Sequence, residues 1–236
     1  QNIMINDSDP PANHRGPDVF IDEDGVIHTV WADYRDHSHI YYSRSEDGGA
    51  SFGSNIQVTN IEGVRAERQQ GPVVHARGGH IYITWNNTGN DVNVYITHSE
   101  DEGQSWSDRV QVNHNDPQNQ FFQDVVVDSE GRVFVTWMEF PRGYRNPDYN
   151  VARSEDQGES FDNFIMVNEG APGEVCDCCA PDLTVDAQDR IFVAWRNNDD
   201  NIRDTYMAKS VDNGESFEEP VIVYANNWHL NACPST

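Results

Sequence analysis

The stretch "SEDGGASF" at residues 45–52 has the make-up of a tight turn. It offers an acid to accept main-chain N–H groups, glycine for positive φ, and an aromatic to anchor it. The chain writes it again as "SEDEGQSW" at 99–106, "SEDQGESF" at 154–161 and "SVDNGESF" at 210–217. The copies begin at Ser45, Ser99, Ser154 and Ser210, so they lie 54, 55 and 56 residues apart. Such a period in a chain of 236 residues predicts four copies of one supersecondary unit.

The flanks of the octapeptide repeat as well. Upstream lie "PDVFIDEDGVIHTVW", "PVVHARGGHIYITW", "QDVVVDSEGRVFVTW" and "PDLTVDAQDRIFVAW", ending at Trp31, Trp85, Trp137 and Trp195. Each holds two β-rich runs around a turn, a hairpin signature. A third run precedes the octapeptide, as in "HIYYSRS", and a fourth follows it, as in "NIQVTN". Four antiparallel strands per repeat, A to D, predict an all-β chain: a β-propeller of four-stranded blades with the octapeptide as the C–D turn. No window carries a 3.6-residue apolar period, which argues against a helical solenoid. The blades are expected over about 17–60, 71–113, 121–168 and 180–224 of a single domain. Residues 2–6, "NIMIN", read as an extra outer strand, and 225–236 as the start of a further blade or a tail. Four such blades read as part of a six-bladed ring.

Charge narrows the partners. With 40 acidic against 15 basic residues, the net charge of −25 repels nucleic acid and anionic membrane. No apolar run approaches the roughly 20 residues of a membrane span. The opening "QNIMINDSDPP" has neither a basic n-region nor an apolar h-region, which fits a mature protein that is secreted, periplasmic or at the cell surface. Sequons at Asn6 and Asn86 fit surface loops. Calcium is not assigned, because no D-x-D-x-D-G loop occurs; the nearest stretch, "NNDDN" at 197–201, reads as a solvated turn. His37 and His39 read as polar surface.

The repeated pattern S-x-D-x-G-x-S-[FW] resembles the Asp box, or bacterial neuraminidase repeat, and the chain is similar to sialidase-superfamily propellers over its whole length. The resemblance makes Asp47, Gly49, Asp101, Gly103, Asp156, Gly158, Asp212 and Gly214 structural turn residues. Since the box occurs in hydrolases and in non-catalytic proteins alike, chemistry must be sought elsewhere. Strand alternation puts the boxes and A–B turns at one end of each blade, and the D–A and B–C loops at the other. Those loops are rich in Arg, Asp and His, and form the default binding face.

Sialidases grip a sugar carboxylate with arginines, use an Asp as acid/base, and pair a Tyr nucleophile with a Glu. By resemblance Arg15 of "HRGP" matches the first arginine and Arg196 of "AWRNN" the second. Asp36 of "RDHSHI" matches the acid/base, with Arg35 beside it. The place of the Glu falls near Ala180, flanked by Asp177 and Asp182, and the third arginine and the Tyr have no counterpart before Thr236. Two functions therefore stay open. One is a sialidase-like glycoside hydrolase of acidic glycans. The other is a non-catalytic glycan- or protein-binding propeller, or a structural one that self-associates through residues 2–6 or an open ring.

Cys176, Cys178 and Cys179 of "CDCC" and Cys233 of "WHLNACPST" fall in successive D–A loops. Two disulfides of unspecified pairing are expected in an oxidising compartment; a thiolate metal site completed by His229 or His114 is the alternative. The combination of "CDCC" with "WxxxxCP" also resembles a subgroup of secreted bacterial proteins of sialidase-like type.

Overall fold

The computed structural model describes every residue except 1, 8–12, 35–37, 59–62, 68–69, 116–117, 142–145 and 231–236. The described residues form only strands and turns, in four antiparallel sheets. These are the blades of a β-propeller, and they group into two compact units, Gln1–Gln111 and Val112–Thr236.

The first unit holds two blades. Blade 1 is β1 (His14–Ile21), β2 (Ile27–Asp33), β3 (His39–Ser45) and β4 (Ile56–Gln57), paired in chain order. Blade 2 repeats that order with β5 (Val73–Arg77), β6 (His80–Asn86), β7 (Val94–Ser99) and β8 (Val110–Gln111). In the second unit, blade 3 is β9 (Asn119–Val127), β10 (Val133–Phe140), β11 (Asp148–Ser154) and β12 (Asp162–Met166). Blade 4 has five strands: β13 (Glu174–Val175) and β14 (Asp182–Val185) both pair with β15 (Ile191–Asn198), followed by β16 (Thr205–Ser210) and β17 (Val221–Tyr224).

The second strand of each blade carries the core. In β2, β6 and β10 nearly every residue is buried on both faces, which explains why apolar residues occupy successive positions there instead of alternating. Trp31, Trp85, Trp137 and Trp195 are all buried there. Truncating one such aromatic to alanine costs on the order of 3–5 kcal/mol.

Turn chemistry sets the register. At three A–B turns an aspartate accepts two main-chain N–H groups: Asp22 from Asp24 and Val26, Asp128 from Glu130 and Arg132, Asp186 from Gln188 and Arg190. Blade 2 instead closes with Gly78 and Gly79, both at positive φ, a two-residue hairpin turn. The octapeptides close four copies of one network. Asp47 accepts the Ser51 N–H at 2.9 Å and its hydroxyl at 2.6 Å, while Ser45 donates to Asp47 and accepts the Gly49 N–H. Asp101, Asp156 and Asp212 make the same bonds. Donation from the Ser51 and Ser105 hydroxyls holds Asp47 and Asp101 down to about 2.

Within each unit the second blade leans on the first through equivalent contacts. The box glycine Gly103 lies against the Tyr42 ring, and Gly214 against the Phe134 ring. Asp18 accepts the Val74 N–H at 2.9 Å, and Asp124 the Leu183 N–H at 2.9 Å. Arg44 bridges to Glu102 at 2.7 Å, as Arg153 does to Glu215 at 2.8 Å.

Three local expectations change. Residues 2–6 form no strand: the segment is tied through side chains, with Asn55 donating to the Ile5 carbonyl and accepting the Asp7 N–H. The neighbouring β4 has only two residues, too few to template a ladder. Asn86 is not in a loop but buried at the end of β6, donating to the Asn93 carbonyl. The D–A segments are not plain loops either. Each begins with residues paired to the far end of the B strand, leaves the sheet, and rejoins it: Arg15 then Asp18, Val64 then Val73, Phe121 then Asp124, Val175 then Asp182.

Candidate functional site

The longest such excursion in the second unit holds the cysteines. Pairing of β13 with β15 ends at Val175 opposite Asn197, and β14 resumes at Asp182 opposite Ala194. Residues 176–181, "CDCCAP", therefore bow out of the sheet beside Trp195 and Arg196. The sequence places Arg196 in a loop; the structure places it inside β15, opposite Thr205 of β16. Its carbonyl accepts the Cys176 N–H at 2.9 Å, which keeps the strand going where its polar residues suggest an end.

The Arg196 side chain is half-buried. Its Nη2 donates to Cys176 Sγ at 3.3 Å, and its guanidinium lies 5.8 Å from the centre of the Trp228 ring. Cys179 N–H donates to the Cys176 carbonyl at 3.1 Å, closing a turn that brings their sulfurs to 3.1 Å. The Cys179 thiol donates to Cys176 Sγ; that bond, aided by Arg196, holds the Cys176 thiol well below the usual range despite burial, and pushes Cys179 up. Tyr149 of β11 donates its hydroxyl to the Cys179 carbonyl at 2.6 Å and is pushed up by its burial. Beside this cluster lies a recess of about 250 Å³ lined by Asn146, Glu174, Asp177, Asn198 and Arg203. The main chain of Arg203 donates to the Trp228 carbonyl at 2.9 Å.

The disulfide expectation is corrected in part: Cys178 is disulfide-bonded, but Cys176 and Cys179 are free thiols. The turn sets their sulfurs at non-bonded contact, and an arginine satisfies one of them. Cys233 lies outside the described residues. The sulfurs of Cys176, Cys178 and Cys179 lie within 4.8 Å of one another, but the Cys178 sulfur is already in a disulfide, so only two thiols face a soft metal ion there, and no histidine joins them among the described residues. Arg196 already supplies a cation at Cys176, so a metal would have to displace it.

In the first unit, Arg15 sits at the leading end of β1, just before a bulge at Gly16 and Pro17. It is exposed, stacks 5.3 Å from the Tyr34 ring, and donates to the Asn13 amide oxygen at 3.1 and 3.2 Å in the amide orientation that satisfies both ends. His14 pairs with the fully buried Asp33 at 3.2 Å. Gly16 meets Gly71 backbone to backbone; a Cβ on Gly16 would come within 2.6 Å of the Gly71 Cα. The resulting recess, about 490 Å³, is lined by His14, Arg15, Pro17, Ala66 and Glu67. Arg35, Asp36 and His37 lie outside the described residues, so the acid/base assignment has no geometry. Asp33 and Arg203 were not singled out from sequence, and Trp228 only as the Trp of "WxxxxCP".

The octapeptide aspartates are remote from these groups. Ser210 pairs with Ile191 at one end of β15, and Arg196 pairs with Thr205 near the other. Five residues of strand separate them, about 17 Å.

No family model matches the chain, and no curated protein does. Solved structures do, at low identity. A protein of unknown function from Dyadobacter fermentans superposes with a TM-score of 0.64 and 14% identity, covering 89% of this chain and 69% of that one. The α-L-arabinofuranosidase Arb93A of Fusarium graminearum gives 0.60 and 11%, over 93% of this chain and 68% of that one. An ulvan lyase bound to a glucuronic acid–sulfated rhamnose repeat gives 0.60 and 14%, over 87% of this chain and 55% of that one. At these identities the likeness is one of fold.

Proposed function

We propose that this propeller recognises an anionic carbohydrate, with Arg196 as the group that meets the sugar's carboxylate or sulfate. The observation that carries the reading is the setting of Arg196. A guanidinium matches such anions in a two-pronged fork, and the half-buried Arg196 holds that fork against the Trp228 ring, with one prong on Cys176 Sγ. The half-exposed Trp228 ring offers a face to the apolar side of a sugar. In the adjoining recess Arg203 adds a second positive charge, while Asn198, Glu174 and Asp177 supply acceptors for hydroxyls. The carbohydrate-active structures of similar fold support a glycan as the ligand.

Recognition is favoured over sialidase-type hydrolysis by the state of the nearby tyrosines. Tyr149 beside the Arg196 cluster and Tyr34 beside Arg15 donate their hydroxyls to the carbonyls of Cys179 and Val64. A nucleophile committed in that way is not poised for attack. Calorimetric titration with sialyl-lactose and with a glucuronate oligosaccharide, for wild type and Arg196→Ala, tests the reading. The expected result is binding of at least one, weakened roughly tenfold or more by the substitution, as loss of a charge-assisted bond implies. Equal affinity in the variant sinks the assignment of Arg196. Release of free sialic acid by wild type would restore the hydrolase.

A further inference from the structure

We propose that Cys176 and Cys179 are a redox pair that closes to a disulfide by exchange with a low-molecular-weight disulfide, and that closure releases Arg196 from its sulfur partner. Four observations carry this. The residues are three apart in a turn closed by the Cys179 N–H on the Cys176 carbonyl, which leaves their sulfurs 3.1 Å apart. Both are free thiols, with Cys176 fully buried and Cys179 partly exposed, so an oxidant has one way in. Arg196 reaches the buried sulfur at 3.3 Å, a contact that stabilises its thiolate. Tyr149 holds the Cys179 carbonyl, anchoring the turn to β11.

The pair shares one proton, as Cys176 thiolate beside Cys179 thiol. When that proton crosses to Cys176, the Cys179 thiolate attacks one sulfur of RSSR, forming Cys179–S–S–R and expelling RS⁻. The expelled RS⁻ takes the proton from Cys176. Cys176 thiolate then attacks Cys179 Sγ, forming the Cys176–Cys179 bond and expelling the second RS⁻. The pair loses two electrons, RSSR gains two, and one RSH and one RS⁻ leave. A disulfide sulfur is neutral, so Arg196 loses its charged acceptor and its fork turns to an external anion. This last step rests on the reading of Arg196 as the anion contact.

Intact full-length protein, equilibrated in buffers of reduced and oxidised glutathione, acid-quenched and labelled with N-ethylmaleimide, tests the thiol chemistry by mass. The expected result is the joint loss of two labels as the oxidised fraction rises. Cys176→Ser should stop at a glutathione adduct on Cys179, and Cys179→Ser should abolish the change. Circular dichroism checks that each variant is folded. The pair is overturned if wild type never loses two labels together or if Cys179→Ser still does. Protection by zinc that a chelator reverses and a reductant does not would mean a metal site instead, and overturns it too. Titration of the glucuronate oligosaccharide into both redox forms reads the consequence separately: on the order of tenfold tighter binding is expected when oxidised, and no such change in Arg196→Ala. A two-label change with equal binding in both redox forms keeps the disulfide and overturns the release of Arg196, whereas no binding in either form removes the glycan reading.

Discussion

Gly214 and Gly131 form a matched pair in the second unit, and replacing each with alanine separates backbone strain from packing between blades. Both adopt positive φ, at 75° and 82°. A Cβ on Gly131 meets nothing within 4 Å, so Gly131→Ala carries only the left-handed backbone cost, roughly 1–2 kcal/mol. On Gly214 the same atom would sit well inside contact with the Phe134 ring, which is fully buried and cannot swing aside. Overpacking of that kind adds about 1–3 kcal/mol. Gly214→Ala is thus expected to cost roughly 2–5 kcal/mol in all. Urea unfolding followed by tryptophan fluorescence measures both variants. With slopes of about 2 kcal/mol/M, the two midpoints should differ by roughly 0.5–1.5 M. Gly103→Ala, facing Tyr42 at 2.5 Å, and Gly78→Ala, facing nothing, repeat the comparison in the first unit. Coincident midpoints within each pair would refute the idea that the repeated turn bears on the preceding blade. The turn would then matter only to its own hairpin.

Other outcomes follow from single contacts. Asp124→Ala leaves the Leu183 N–H without its acceptor and should cost about 1–3 kcal/mol, with a faster-exchanging Leu183 amide by NMR as the local signature. Burial against Phe20 lowers His75 to about 4 from an ordinary 6.5. The fold therefore disfavours its charged form: this contribution is complete above pH 6.5 and is lost as pH falls toward 4, up to about 3 kcal/mol. Urea midpoints from pH 7.5 to 4.5 should fall less steeply in His75→Gln than in wild type, and parallel slopes would contradict the burial argument.

The blades were legible because a fixed period exposes itself, and because Trp31, Trp85, Trp137 and Trp195 mark the same strand each time. The lead-in segments were not legible, since two-residue β13 is a strand only by virtue of where β15 happens to end. The same pairing carries β15 through Arg196, whose polar neighbours look like a loop in sequence. The His14–Asp33 pair hides for a countable reason. Partner numbers in β1 and β2 sum to 48 from Ile21 and Ile27 as far as Asp18 and Val30, then to 47 at Arg15 and Ala32. The bulge at Gly16 and Pro17 drops the sum by one, so counting outward from the turn assigns His14 the wrong partner. Trp228 stood out only as the Trp of "WxxxxCP", not as a neighbour of Arg196, because that approach depends on the path of the chain after β17.

The tie from Asp18 to Val74, repeated from Asp124 to Leu183, asks very little of its receiver. It uses a side chain on the giving strand and only a main-chain N–H on the receiving one. Any strand laid in that position can accept it, whatever its sequence. A gene segment encoding one blade could therefore be copied in tandem and its product seated at once, with no compensating change in the new copy. Divergence could then proceed freely in the loops at the other end, where "CDCCAP" now stands beside β15.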